Sequence, residues 1–132
     1  ELYPDIPSLL QTLKEQGFVL VVATSKPTVF AQQILDYFKI THYFDLIVGS
    51  NLDGTRISKT EIIQYILDTY KHYKLDDFIM IGDRKHDIIG AKNVGIHSIG
   101  VTYGYGLLEE LSHSRPEFIV NTVHQLKDIL VS

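Results

Sequence analysis

Apolar residues follow two different periodicities along the chain. In some stretches they recur every three or four positions, as Ile6, Leu9, Leu10 and Leu13 do, which predicts helices. Between these stretches lie short continuous runs of β-branched and aromatic residues, which are typical of strands covered on both faces of a parallel sheet. The runs predict strands at 18–23, 45–49, 78–82, 96–101 and 118–120.

Helices are predicted between the strands and near both ends of the chain, and several have recognisable ends. The stretch "SKTE" at 58–61 is a capping box, Pro27 suits a first helical turn, and Gly17 and Gly95 suit helix ends. Strands that alternate with helices indicate right-handed βαβ units. The sequence therefore predicts one α/β domain over 1–132, doubly wound around a Rossmann-like parallel sheet. The predicted helices lie near 6–16, 27–38, 58–70, 84–93, 107–112 and 123–130.

Composition excludes several classes of protein. The formal net charge of −4, with scattered basic residues, argues against a nucleic-acid partner. There is no cysteine, which excludes disulfides and thiolate metal sites and favours a reducing cytoplasm. The longest apolar run, "FVLVVA", is too short to cross a bilayer, and the first residues lack the pattern of a signal peptide, so we expect no membrane partner.

Candidate chemistry lies just after the predicted strands, because parallel sheets of this kind bind ligands at the carboxyl ends of their strands. Thr24 and Ser25 follow the first strand, where hydroxyls and backbone N–H groups suit a phosphate. Capping of the next helix is the purely structural alternative. Lys59 lies in the first turn of a helix, where the dipole disfavours a cation. Lys59 would either neutralise an anionic ligand or be solvated there at a small energetic cost.

Two further groups follow the third and fourth strands. Asp83 and Asp87, in "GDRKHD", lie one helical turn apart and offer the carboxylate oxygens that Mg²⁺ prefers. Carboxylates also favour a helix N-terminus without any metal, which is the structural alternative. Tyr103 and Tyr105, in "TYGYG", would line a substrate entrance or pack against a neighbouring helix.

The order of these groups resembles the haloacid dehalogenase superfamily, and within it phosphatases similar to phosphoglycolate phosphatase. The matching stretches are "GFVLVVATSKP", "SKTEIIQY", "IMIGDRKHDIIGAKNVGIHSIGVTYGYG" and "PEFIVNTVHQL", which together span nearly the whole chain. The Asp-x-x-x-Asp segment with its flanks is the most specific of them. The resemblance implies a Mg²⁺-dependent hydrolase of small phosphorylated metabolites that works through an aspartyl-phosphate.

The resemblance also implies a role for each matching residue. Thr24, with Ser25 beside it, would hold the transferring phosphoryl group. Lys59 would neutralise that group and the attacking carboxylate. Asp83 would be a Mg²⁺ ligand, and Asp87 would support the metal site.

One element of the family pattern is missing from these 132 residues. The family's nucleophile lies in a D-x-D-G-T motif on its first strand, ahead of a helical cap. The nearest match here is "NLDGT" at 51–55, which has Asn51 in the nucleophile position and follows a different strand. We interpret it as a turn near the site mouth, and we expect the chain alone to be inactive. A P-loop is also disfavoured, because Thr55 stands where that motif needs lysine.

The missing strand has a structural consequence. In the superfamily it lies between the strand that ends at Thr24 and the strand that ends at Gly82. Its absence should leave a slot with unpaired edges, which favours association. Another polypeptide segment would fill the slot, the strands would close up, or two chains would exchange elements.

Two other functions are compatible with parts of the sequence. A phosphate- or nucleotide-binding module without catalytic activity needs the same anion-binding residues but no nucleophile. A response-regulator-like receiver would need its acidic cluster after the first strand, where "TSKP" stands instead. Zinc hydrolysis is not supported, because none of the six histidines has H-x-x-x-H spacing.

Overall fold

The computed structural model describes residues 3–56, 58–103 and 108–131. Within them the chain forms helices that alternate with strands, as the hydrophobic pattern predicts. The helices are α1 (Ile6–Glu15), α2 (Thr28–Tyr37), α3 (Lys59–Thr69), α4 (Lys85–Val94), α5 (Leu108–Ser114) and α6 (Val123–Val131). The strands are β1 (Val21–Pro27), β2 (Leu46–Ser50), β3 (Ile79–Gly82), β4 (His97–Val101) and β5 (Phe118–Val120).

The first strand differs from its predicted bounds of 18–23. Gly17 has a φ of 89° after the end of α1, and the Phe18 N–H donates to the Leu13 carbonyl. This left-handed turn provides a hydrogen-bond donor for a carbonyl group at the end of the helix, and the strand starts only at Val21. The strand then continues to Pro27, past its predicted end.

Pro27 does not lie in the first turn of α2, where the sequence analysis put it. It is the residue before the helix, with φ −56° and ψ 141°, and it pairs with Ser50 of β2 after an irregularity in the strand. Proline tolerates an extended backbone at this position as well as a helical backbone, because both conformations accept the φ that its ring fixes. The prediction of the proline's position was therefore one residue wrong.

Two predicted helix ends are confirmed. Ser58 and Glu61 form the capping box of α3, with each side chain accepting a hydrogen bond from the backbone N–H of the other residue. Gly95 ends α4 with a φ of 86°. A side chain other than glycine is strained in this conformation.

The parallel sheet is divided into two parts. β1 pairs with β2, and β3, β4 and β5 form a second parallel sheet, with no pairing between the two among the described residues. The division lies between β1 and β3. That is where the resemblance puts the missing first strand.

Helices cover both faces and hold the two sheets together. On one face α1 and α6 pack against β4 and β5 through a cluster that includes Leu13, Ile99 and Leu126. On the other face α3 spans the division, because Ile62 packs with Val48 of β2 while Ile63 belongs to a cluster that includes Ala91 and Met80 of β3. Within the described residues no helix is both long and apolar enough to cross a membrane.

Candidate active site

A cavity of about 480 Å³ lies at the carboxyl ends of β1 and β3. The five residues that the sequence analysis assigned to phosphate, catalysis or metal binding all line it, although they come from three separate segments of the chain. The apolar part of its wall includes Ala23, Met80 and Val101. Its polar lining consists of Tyr3, Thr24, Ser25, Lys26, Lys59, Asp83, His86, Asp87 and Tyr103.

Lys59 and Asp87 form a buried ion pair at the base of this cavity. The distance from Lys59 Nζ to Asp87 Oδ1 is 2.8 Å, and the side chains are only 8% and 7% exposed. Lys59 Nζ also donates to the Ala23 carbonyl at 3.0 Å, which ties α3 to the edge of β1. The solvated-lysine alternative is therefore wrong. A cation in the first turn of α3 is tolerated because Asp87 and a carbonyl surround it.

Two glycines make room for this ion pair. A Cβ atom on Gly82 would lie 2.3 Å from Asp87 Cβ, and one on Gly90 would lie 3.1 Å from Lys59 Cγ. Gly82 lets Asp87 approach the end of β3, and Gly90 lets the Lys59 stem lie against α4. The sequence analysis did not identify either residue. Gly90 could have been identified from the sequence, because a glycine inside a predicted helix is unfavourable unless close packing requires it.

Asp87 also stabilises the start of its own helix. Its Oδ2 accepts a hydrogen bond from the Arg84 backbone N–H at 3.2 Å, in the first turn of α4. Asp87 is therefore a carboxylate that stabilises a helix N-terminus, as the structural alternative expected, and it also forms the ion pair with Lys59. Asp87 therefore links the helix, the lysine and the end of β3.

Asp83 is the second carboxylate of the cavity and the candidate ligand for a cation. It lies directly after β3 and is partly exposed toward the cavity. Among the described residues there is no group of three or more His, Asp and Glu side chains that would hold a metal by itself. Mg²⁺ usually takes only one or two carboxylates and keeps several waters or phosphate oxygens, so Asp83 fits such an ion as part of its ligand set.

Thr24 and Ser25 do not cap α2, so the structural alternative for them is wrong. They belong to the last part of β1, and the residue before the helix, Pro27, makes no side-chain capping bond. Thr24 Oγ1 accepts a hydrogen bond from the Lys26 backbone N–H at 3.2 Å, in a tight local turn. Thr24 is half-buried and Ser25 is exposed, and both line the cavity.

Aromatic and basic residues complete the cavity. The Tyr103 ring lies edge-on to Tyr3, with ring centroids 5.1 Å apart. Burial, with a smaller contribution from Tyr3, raises the pKa of Tyr103 to about 12. Its phenol therefore stays neutral near pH 7. Lys26 and His86 are exposed at the rim and were missed in the sequence analysis, whereas Tyr105 lies outside the described residues.

The "NLDGT" loop is a closed turn. The Asn51 N–H donates to the Thr55 carbonyl, and the Gly54 N–H donates to the Asn51 carbonyl. Asp53 Oδ1 accepts hydrogen bonds from Thr55 Oγ1 at 2.7 Å and Thr55 N at 3.0 Å, which lower the pKa of the carboxyl group. No residue of 51–55 is among the described residues that line the cavity. The turn is confirmed, but its predicted place near the site mouth is not supported, and its carboxylate is bound within the loop itself.

Comparison with known proteins agrees with this arrangement. The family described as haloacid dehalogenase-like hydrolase matches residues 1–101. The chain belongs to this family. The resemblance derived from the sequence motifs is therefore confirmed, together with the α/β fold and its parallel sheets.

Relatives in the family include phosphatases from several bacteria. The chain is 42% identical over 130 residues to a 5'-nucleotidase of Pseudomonas aeruginosa and 29% identical over 130 residues to a phosphoglycolate phosphatase of Vibrio cholerae. The structure of a predicted phosphatase from Clostridium acetobutylicum has a TM-score of 0.95 at 50% identity. The matches cover 98%, 98% and 99% of this chain but only 58%, 57% and 60% of those proteins.

Proposed function

We propose that these residues form part of the active site of a phosphatase that hydrolyses a small phosphate monoester. The observation that carries the proposal is the convergence of Thr24, Lys59 and Asp83 on one cavity, in a chain that belongs to a family of hydrolases. A hydroxyl, a cation and a carboxylate are the groups needed to hold a phosphoryl group and to neutralise its charge.

Each residue has a distinct role in this proposal. Thr24 and Ser25 bind the phosphoryl oxygens through hydroxyl and backbone N–H groups, and Lys59 stabilises the negative charge of the group in transfer. Asp83 holds Mg²⁺, which adds positive charge beside the phosphate when it is bound. Asp87 holds Lys59 in position, and its support of the metal site remains a prediction.

In the family pattern the nucleophile is an aspartate of the first strand, and the aspartates described here have other roles, Asp83 as the proposed Mg²⁺ ligand among them. Asp87 is engaged by Lys59, and Asp53 is held in its own loop. We therefore propose that an aspartate outside these 132 residues attacks phosphorus. The ester oxygen leaves as the alcohol after it takes up a proton, and water then cleaves the aspartyl-phosphate to regenerate the carboxylate and release inorganic phosphate.

The names of the relatives suggest two substrate classes. One relative is a 5'-nucleotidase and another is a phosphoglycolate phosphatase, and the chain is more similar to the former. Nucleoside 5'-monophosphates are therefore the first substrates to test, and phosphoglycolate is the second. Both are small phosphate monoesters that the same phosphoryl site would accept, so the cavity residues beyond that site would decide between them.

A binding module without catalytic activity is the second candidate. Its support is that Thr24, Ser25 and Lys59, the groups that would bind a phosphate, lie together in the cavity. Such a module would bind phosphate or a nucleotide through Thr24, Ser25 and Lys59 and would release it unchanged. It differs from the first candidate only in turnover.

Two measurements separate these candidates. Calorimetry on the 132-residue chain should detect binding of orthophosphate in the presence of Mg²⁺, and the chain alone should not hydrolyse p-nitrophenyl phosphate. When the chain is fused to the part of the Pseudomonas relative that it does not match, the fusion should hydrolyse p-nitrophenyl phosphate in a Mg²⁺-dependent way. A well-folded fusion that binds phosphate without turnover would favour the binding module.

Two variants of the fusion test the separate roles of Asp83 and Asp53. In the fusion, Asp83→Asn should abolish both Mg²⁺ dependence and turnover, whereas Asp53→Asn should leave turnover near that of the parent. Loss of activity in Asp53→Asn alone would mean that the "NLDGT" loop supplies the nucleophile, and it would overturn the assignment of roles given above.

A further inference from the structure

A bidentate ion pair lies just outside the candidate active site. The guanidinium group of Arg84 donates to the carboxylate of Glu110, with Arg84 Nε 3.1 Å from Oε2 and Arg84 Nη2 3.4 Å from Oε1. The Glu110 side chain, on α5, is only 18% exposed, whereas that of Arg84 is 45% exposed. The pair therefore joins the start of α4 to α5 and is partly shielded from water.

The Arg84 side chain is directed away from the cavity that its neighbours line. Asp83 precedes it, His86 and Asp87 follow it, and all three line the cavity. Arg84 and Glu110 are not among the described residues that line it. The Arg84 backbone N–H donates to Asp87 Oδ2 at 3.2 Å, so the backbone is fixed beside a cavity carboxylate. Only the side chain leaves the cavity, and it does so toward Glu110.

The carboxylates of the cavity also act on this arginine. Glu110 raises the pKa of Arg84 most, and the negative charges of Asp83 and Asp87 add smaller contributions. Asp87 is held by Lys59 and buried, whereas Asp83 is next to Arg84 in the sequence and more accessible. Arginine binds carboxylates strongly because its planar fork of N–H groups matches them. Asp83 is therefore the cavity carboxylate best placed to compete with Glu110 for the guanidinium group.

Glu110 is well anchored for holding the arginine. The next residue, Leu111, is fully buried, and its side chain lies close to Gly100 of β4, where an added Cβ would lie 3.3 Å from Leu111 Cδ2. Hydrogen bonding to Arg84 lowers the pKa of the Glu110 carboxyl group, and the Lys85 backbone N–H contributes to this effect. Glu110 is therefore an ionised acceptor, at neutral pH, on a helix that is fixed to the sheet.

We propose that Glu110 is a positioning residue that holds the Arg84 guanidinium group out of the active-site cavity, where this group would otherwise bind Asp83. The inference rests on the proposed function, because its consequence concerns the binding of Mg²⁺ by Asp83. A cation would have to displace a guanidinium group bound to this carboxylate, and the two positive charges would repel each other. Glu110 prevents this competition without contacting substrate or metal.

A purely structural role for the ion pair makes a different prediction. If the pair only ties α5 to α4, removal of both residues harms the site at least as much as removal of Glu110 alone. If Glu110 restrains Arg84, removal of Arg84 as well takes away the competing cation and restores Mg²⁺ binding. The double variant therefore distinguishes the two roles.

The test measures Mg²⁺ binding to the 132-residue chain by calorimetry. Glu110→Gln keeps the shape of the side chain but releases Arg84, so it should weaken Mg²⁺ binding about fivefold, the upper end for a partly exposed ion pair. Arg84→Gln removes the competing cation and should bind Mg²⁺ within about twofold of the parent. The double variant Arg84→Gln/Glu110→Gln should bind Mg²⁺ as Arg84→Gln does.

A matched variant controls for the change in net charge. Glu109→Gln removes the same charge from the neighbouring, exposed residue of α5 and should change Mg²⁺ binding by less than about twofold, because salt screens exposed charges. Thermal unfolding should show similar stability for Glu110→Gln and the double variant, since both lack the ion pair. The proposal would be overturned by a double variant as weak as Glu110→Gln, by an unchanged Glu110→Gln, or by an equal loss in Glu109→Gln.

Turnover by the fusion with the Pseudomonas segment separates this inference from the proposed function. In Glu110→Gln the Mg²⁺ concentration for half-maximal turnover should rise by the same factor as in calorimetry, and the rate at saturating Mg²⁺ should match that of the parent fusion. An equal Mg²⁺ requirement in all variants would uphold the proposed function and overturn this inference. Failure of the parent to bind Mg²⁺ as the chain and to turn over as the fusion would overturn both.

Discussion

The segments after β2 and β3 differ in how the structure holds their carboxylates. Both carry an aspartate close to the end of a parallel strand, Asp53 in "NLDGT" and Asp83 in "GDRKHD". The carboxylate of Asp53 is bound by Thr55, two residues away, and the loop closes on itself. After β3, Asp87 in the first turn of α4 is bound by Lys59 of α3, and this segment lines a cavity.

The difference lies in the origin of the hydrogen-bond partners. A carboxylate satisfied by its own turn needs nothing else from the fold, and it has no reason to face a ligand. A carboxylate satisfied by a distant lysine brings two segments together and creates a polar cavity where they meet. In these two loops the carboxylate with only local partners is structural, and the carboxylate with a distant lysine lies in the candidate site.

The largest expected effect on stability comes from breaking the ion pair between Lys59 and Asp87. Lys59→Met should lower the free energy of unfolding by about 3–5 kcal/mol, because it leaves Asp87 buried without its cation. Urea unfolding of the chain would measure it. The double variant Lys59→Met/Asp87→Leu should recover much of the loss without restoring phosphate binding. A decrease below about 1 kcal/mol for Lys59→Met would mean that the pair is not buried in solution.

The next largest effects are expected from substituting Gly82, beside Asp87, and Gly54, beside Asp53. Gly82→Ala should cost about 1–3 kcal/mol and weaken phosphate binding, because its Cβ would lie 2.3 Å from Asp87 Cβ and displace that side chain. Gly54→Ala meets no atom within 4 Å but has a φ of 87°, so it should cost about 1–2 kcal/mol without affecting phosphate binding. Thermal unfolding and calorimetry on both variants would test this. Equal loss of phosphate binding would contradict the separation of the two loops.

The smallest effect concerns the pH dependence of the closed turn. Hydrogen bonds from the Thr55 hydroxyl and backbone N–H lower the pKa of Asp53 in the folded chain. The resulting stabilisation is complete above the unfolded-state pKa of about 3.9, and it is lost as the pH falls through the lower folded-state pKa. The parent chain should therefore lose slightly more stability than Asp53→Asn below about pH 4, as measured by urea unfolding. Identical pH profiles would show that the Thr55 bonds do not form in solution.

The site could be predicted to different degrees at different residues. Thr24 and Asp83 were singled out because each lies near the end of a strand, and strand ends are visible in the hydrophobic pattern. Lys59 was singled out because a cation is unfavourable in the first turn of a helix. The Lys59–Asp87 ion pair was not found, because nothing in a linear sequence gives the distance between two helices. His86 was missed for a related reason, since an exposed histidine inside a helix has no pattern of its own.

The sequence by itself determined which segments become helices and strands, and it determined their parallel order. These properties depend on residues a few positions apart, such as the capping box of Ser58 and Glu61 or the apolar run of β3. Tertiary structure alone decided that Asp87 binds Lys59, that Thr24, Lys59 and Asp83 line one cavity, and that "NLDGT" is not among the described residues that line it. Each of these depends on how segments far apart in the chain pack together, which local periodicity does not encode.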